Sequence, residues 1–331
     1  MRMFLRMYVY LYVCSSFNQN LLDTWTDCYE NLDLKGIFAP VFTPIDERGR
    51  INTDVVSEYA RYLRSHGVQG VLVGGTTGEA VSLSLDERKV MLECWVEEAK
   101  PLGIKIIAQV GGVPLPEVLE MAAYSEEVGT DAIMTLPELY FKPKCCSRLV
   151  DYLDLVAKAA PSLPLLYYHF PMMSGVDVNM PEFFALASSR IPTFIGMKAD
   201  LGVAVQVSHQ LTSNQTIFIA NHLLAPSAIL GHDCSIATVT NMFPGLVRNV
   251  VEATKAGDVE RARSLQEELN NLVAGIAAQG DFVPSMKAAM ELLTGIKVGP
   301  PRLPQLSLDN SKRFRLSEHL RNSGFNVVDS E

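Results

Sequence analysis

The sequence predicts a (β/α)8 barrel of the α/β class with a C-terminal helical extension. From Gly36 onward, apolar runs of strand length alternate with amphipathic segments of helix length, the pattern of a parallel sheet built from βα units. Eight such runs can be placed before the alternation stops. Neither a G-x-G-x-x-G nor a P-loop motif follows any of them, which disfavours a doubly wound nucleotide-binding sheet.

In chain order the strand candidates are Gly36–Phe42, Gly70–Val73, Ile104–Val110, Ala132–Leu136, Leu165–His169, Phe194–Lys198, Ile217–Ala220 and Ser235–Val239. Between the first two, Val55, Tyr59, Tyr62 and Leu63 share one helical face and Gly67 supplies a stop. After the second, Ser84 and Glu87 form a capping box, and Met91, Cys94 and Trp95 make the stripe to be buried. Beyond the eighth strand, 258–278 and 282–293 read as two appended helices. The expected organisation is an extension over 1–33 outside the fold, a barrel domain with its helices over 34–308, and a tail over 309–331.

Composition narrows the function. Of 331 residues, 48% are hydrophobic and 20% charged, enough apolar material for one large core, and barrels run to about 250 residues or more. A net charge of -9 with no Lys/Arg-rich run argues against a nucleic-acid partner. The apolar stretch Met3–Cys14 is interrupted by Arg6 and is too short to span a membrane; a short signal peptide is the alternative to a plain extension. Six dispersed cysteines without a C-x-x-C pair read as reduced thiols of a cytoplasmic protein.

In a barrel, chemistry sits at the C-terminal ends of the strands. The second strand ends in Gly74-Gly75-Thr76-Thr77-Gly78-Glu79, whose backbone N–H groups and two hydroxyls suit a carboxylate better than a phosphate, since no Walker lysine follows. The fifth ends in Tyr167-Tyr168-His169 and the sixth in Ile195-Gly196-Met197-Lys198. A lysine behind so apolar a run is expected to be desolvated, and desolvation favours the neutral amine that a nucleophile requires. Tyr168, one βα unit upstream, is placed to relay protons. The six histidines lack the spacing of helix-borne metal pairs, H-E-x-x-H is absent, and G-x-S-x-G is absent, so neither a metal site nor a serine hydrolase is expected. No cofactor is called for.

The ordered set G-T-T-G-E (75–79), Y-H-F-P (168–171) followed by Ser174-Gly175, and G-M-K (196–198) resembles the N-acetylneuraminate lyase and dihydrodipicolinate synthase family of class I aldolases. The likeness runs from about Leu34 to about Leu308, with G-P-P-R-L-P (299–304) similar to animal lyases of the family. The resemblance implies a homotetramer acting on a 2-oxo acid. Lys198 would carry the Schiff base, Tyr168 would relay protons, and Thr76 and Thr77 would hold the pyruvate carboxylate. Tyr140 lies near a family tyrosine that reaches a neighbouring protomer's site.

Within that family, synthases place an arginine two residues after the proline at 171, whereas Met173 stands here, as in the lyases. Cleavage of N-acetylneuraminate to pyruvate and N-acetylmannosamine is therefore the leading expectation. Five positions depart from the lyase pattern. The G-x-D-E run that binds the sugar's hydroxyl tail reads Ile219-Ala220-Asn221-His222, a family Ser/Thr is Asp200, and Thr238 stands where lyases carry a serine. These departures keep open an aldolase for another 2-oxo acid, or a barrel without turnover.

Overall fold

Parallel strands covered on both faces need apolar side chains of both parities, and that is how the barrel is filled. In the computed structural model, which describes residues 34–328, the strands are β1 (Ile37–Pro40), β2 (Gly70–Val73), β3 (Lys105–Gln109), β4 (Ala132–Thr135), β5 (Leu165–Tyr168), β6 (Phe194–Ala199), β7 (Thr216–Ile219) and β8 (Ser235–Ile236). They close in sequence order, every pairing is parallel, and β8 returns to β1. One parity fills the barrel: the Phe38 and Phe218 rings meet edge-to-face at 5.1 Å, and a side chain on Gly70 would collide with the Phe38 ring. The other parity, including Val71, Ile106, Ile133, Tyr167, Met197 and Ile217, packs beneath the surrounding helices.

Those helices are α1 (Val56–Ser65), α2 (Leu85–Ala99), α3 (Leu115–Glu127), α4 (Cys146–Ala159), the short α5 (Pro171–Ser174), α6 (Met180–Arg190), α7 (Leu201–Val207), α8 (Leu224–Ile229) and α9 (Pro244–Lys255). The capping box at α2 is present, with the Glu87 amide donating to Ser84 and the Ser84 amide donating to Glu87. Its stripe is buried at Met91 and Trp95. The two appended helices are α10 (Val259–Ala277), capped by Asp258, and α11 (Phe282–Thr294). The segment 309–331 carries a further helix, α12 (Asn310–Asn322), whose Leu316 and Leu320 are buried in the main core. Residues 1–33, with the expected extension and two of the cysteines, lie outside the described residues. Cys94, Cys145, Cys146 and Cys234 are free thiols.

Two strands end two or more residues short of expectation. β8 ends at Ile236 because Thr238–Asn241 coil into a 3-10 turn, whose Asn241 amide donates to the carbonyls of Pro40 and Thr238 and ties β8 to β1. β1 stops at Pro40, although the Val41 amide still bonds the Leu72 carbonyl.

The C-terminal extension reaches the catalytic face through a buried ion pair. Glu79 adopts a left-handed backbone, φ 56° and ψ 26°, a conformation that costs a non-glycine residue on the order of 1 kcal/mol. Its carboxylate is held by the Lys287 ammonium of α11 at 2.8 Å, the Arg302 amide at 2.6 Å and the Gln305 carboxamide at 3.0 Å. Lys287 also donates to the carbonyls of Thr43 and Pro300. Burial pulls the Lys287 ammonium below its usual pKa, and the Glu79 carboxylate opposes that shift. Removing one member of such a pair strands the other. Lys287→Met should therefore cost about 3–5 kcal/mol of unfolding free energy in urea, while Glu79→Gln combined with Lys287→Met should cost clearly less. Equal losses in the single and double variants would contradict the coupling.

Candidate active site

A one-residue bulge decides which side chain of β6 faces β5. Leu165 pairs with Phe194, but Leu166 pairs with Gly196, so Ile195 is the extra residue. Carried through without the shift, the first pairing would set Tyr168 opposite Met197. The bulge sets it opposite Lys198 instead. Gly196 makes this possible: its φ of 133° is poorly accessible to other residues, and a Cβ there would lie 1.9 Å from the Thr216 carbonyl oxygen. Lys198 and Tyr168 are thus neighbours inside the barrel, only 4% and 3% exposed. The Lys198 Nζ donates to the Tyr168 hydroxyl at 2.9 Å and lies 4.0 Å from the ring centroid.

The β2 loop completes this cluster. Thr76 Oγ1 is 3.1 Å from the Tyr168 hydroxyl, and Thr77 Oγ1 is 2.8 Å from Thr238 Oγ1 beyond β8. Among the described residues, no protein group accepts from the backbone N–H groups of Thr76 and Thr77, which leaves two donors beside two hydroxyls. The loop is pinned from below: the Thr43 hydroxyl donates to the Gly78 carbonyl at 2.7 Å and the Gln109 carboxamide to the Gly74 carbonyl at 3.0 Å. An amine, a phenol and a row of hydroxyl and amide donors can together add to a ketone, move its protons and hold an adjacent carboxylate.

Lys198, Tyr168, Thr76, Thr77 and Thr238 are therefore brought together. The other expected residues make no hydrogen bond to this cluster. Tyr140 is 87% exposed and packs edge-to-face on Phe141, and Met173 is 67% exposed on α5. Asn221 spends its side-chain oxygen on the Leu223 amide at 3.0 Å, and burial lowers the pKa of the His222 imidazole. Ile219 points away from the barrel interior into the layer beneath the helices, so its side chain takes no room from the interior. Asp200 caps α7 by accepting from the Val203 amide. Among the described residues, no three His, Cys, Asp or Glu side chains converge as a metal-holding group.

Sequence reasoning missed the supports of the site. Gln109 staples three strand ends through Gly74, Gly111 and Leu136, and Asn241 accepts from the buried Tyr59 hydroxyl at 2.6 Å. A lone amide closing the apolar run Ile106-Ile107-Ala108 was a usable signal for Gln109. Lys287, within a helix, offered none.

A (β/α)8 barrel with an amine of this kind at its sixth strand defines the class, and comparison with known proteins defines the family. Residues 33–323 match the dihydrodipicolinate synthetase family, and the chain belongs to it. The lyases of this family are class I aldolases, and the chain is an enzyme of that kind. It is 34% identical to the N-acetylneuraminate lyase of Rattus norvegicus over 82% of its length and 87% of that protein's. Among solved structures it resembles the N-acetylneuraminate lyase of Proteus mirabilis, with a TM-score of 0.83 at 27% identity over 88% of this chain and 99% of that one. The sialic acid aldolase of Aliivibrio salmonicida gives a TM-score of 0.83 at 29% identity over 88% and 97%. Among the described residues no helix is long and apolar enough to cross a membrane.

His169, next to Tyr168, generates a pH prediction. It is buried with no partner for Nδ1, and burial pulls its pKa below the ordinary value of 6.5, against the pull of Asp177 and Asp200. Once the pH falls below about 6.5 the unfolded chain takes up a proton that the folded one refuses, so stability should decline with falling pH. Urea midpoints measured from pH 8 to 5.5 should show this decline, and His169→Phe should flatten it. An unchanged slope in that variant would assign the decline to other groups, His222 and His232 first.

Proposed function

We propose that the chain cleaves N-acetylneuraminate to pyruvate and N-acetylmannosamine through a Schiff base on Lys198. The observation that carries this reading is the hydrogen-bonded line Lys198–Tyr168–Thr76, set where Thr76 and Thr77 can receive a carboxylate. The Lys198 amine adds to the C2 carbonyl, and Tyr168 delivers the proton with which the oxygen leaves as water. The resulting iminium accepts the electron pair of the C3–C4 bond as the 4-hydroxyl gives up its proton, and the aldehyde departs. Protonation of the enamine at C3 and hydrolysis release pyruvate. Since the iminium is the electron sink, the scheme calls for no metal or organic cofactor.

A second reading, cleavage of another 4-hydroxy-2-oxo or 2-oxo-3-deoxy acid, is favoured by one observation. Asn221 and His222 stand where the lyase pattern has two carboxylates, and Asn221 Oδ1 is already engaged by its own loop. Thr238 stays with the carboxylate cluster in either reading. A homotetramer located in the cytoplasm is part of the same proposal, and the exposed Tyr140, Phe141, Met172 and Met173 on the rim of the catalytic face support the assembly.

Incubation with pyruvate and borohydride should add a reduced pyruvyl group to Lys198, read by peptide mass spectrometry. Tyr168→Phe should slow turnover by about 10²-fold or more while still being trapped. In a panel of 2-oxo acids, N-acetylneuraminate should be cleaved fastest; faster turnover of a shorter acid, improved for N-acetylneuraminate by Asn221→Asp with His222→Glu, would favour the second reading. A label spread over surface lysines would overturn both.

A further inference from the structure

We propose that Arg88 is a positioning residue that supplies, from beneath the β2 loop, the positive charge facing the substrate carboxylate; this rests on the function proposed above. Its guanidinium is buried at the start of α2, with no carboxylate in ion-pair range among the described residues. Nη2 donates to the carbonyls of Val110 at 2.7 Å and Gln109 at 3.4 Å, whereas Nη1 has no hydrogen-bond partner. A buried cation with no ion-pair partner is costly and is seldom kept for packing alone.

Its location gives the charge a purpose. Arg88 shares a void of about 10 Å³ with Gly74, Thr43 and Gln109. Thr43 and Gln109 are the two side chains that hold the loop carbonyls of Gly78 and Gly74. Gly74, which lines that void, begins the loop that carries Thr76 and Thr77, and these offer a carboxylate donors but no charge. The groups at the carboxylate end, Thr76, Thr77 and Thr238, are uncharged, so they provide no cation. Arg88 is set to do so, through a medium of low dielectric that preserves its field. Burial works against its protonation and the nearby Glu117 carboxylate on α3 works for it.

The charge and its hydrogen bonds can be separated by comparing pyruvate with methyl pyruvate, which keeps the ketone and loses the anion. Half-saturating concentrations for borohydride trapping at Lys198 are measured for the wild type, Arg88→Gln and Arg88→Lys. Arg88→Gln should raise the value for pyruvate about tenfold and that for methyl pyruvate less than twofold, and Arg88→Lys should restore most of the difference. Equal weakening of both ketones by Arg88→Gln would assign Arg88 to strand packing and overturn the proposal. Should that variant fail to fold, Glu117→Gln serves instead: by unmasking the guanidinium it should tighten pyruvate about twofold without changing methyl pyruvate, and an unchanged ratio overturns the proposal. Absence of any wild-type adduct with either ketone counts against the Schiff-base reading itself, whereas a normal adduct with unaltered ratios counts against Arg88 alone.

Discussion

The extra residue that β6 carries against β5 is the constraint on which the catalytic face depends. In a parallel sheet a one-residue slip exchanges the two faces of a strand. Without Ile195 as the bulged residue, the apolar Met197 would stand beside Tyr168 and the amine would be turned toward the helices. Gly196 is the residue that permits the shift, because the Thr216 carbonyl occupies the space of any side chain there. Amine and phenol are therefore brought to 2.9 Å by backbone register rather than by side-chain flexibility. A site on rigid strand ends needs little reorganisation when substrate enters.

The facing half of the cluster is governed by buried charge. The loop from Gly74 to Glu79 is bent by one strained residue, and the carboxylate of that residue is gripped by α11 and the 299–305 segment. Thr43 links the two halves: its carbonyl accepts from Lys287 and its hydroxyl donates to Gly78. The C-terminal helices are thus part of the loop's support, which gives a physical reason for a barrel to carry them.

The barrel was legible because alternation of strands and helices is a property of local composition, and the strand tips bearing Thr76, Thr77, Tyr168 and Lys198 are local words with distinctive residues. Their pairing as neighbours followed from the order of the strands. The bulge was not legible: Phe194 to Lys198 reads as an uninterrupted strand, and only the register with β5 reveals the extra residue. Nor was the partner of Glu79, since Lys287 lies more than 200 residues away in an ordinary amphipathic helix. The end of β8 is hidden in the sequence because Thr238–Asn241 has strand-like composition but turns to satisfy the Pro40 carbonyl through Asn241. Tyr140 and Met173 are rim residues, and their surroundings in an assembly are not encoded in one chain's local pattern.

Substrate choice turns on a different region from substrate activation. In the proposed scheme the amine, phenol and hydroxyl loop would act on the 2-oxo acid end, which every substrate of this chemistry shares, while the segment after β7 would meet whatever lies beyond C4. Ile219 leaves the interior open, so in that scheme a change of preference would rest on Asn221, His222 and Asp200, whose chemistry is amide, imidazole and a capping carboxylate. The proposed Schiff base belongs to the shared end. A crystal structure of the protein soaked in pyruvate tests it most directly: continuous density should join Lys198 Nζ to C2, with the carboxylate on the hydroxyls and amides of Thr76 and Thr77. Pyruvate bound without a covalent link, or with its carboxylate turned away from that loop, would contradict the account.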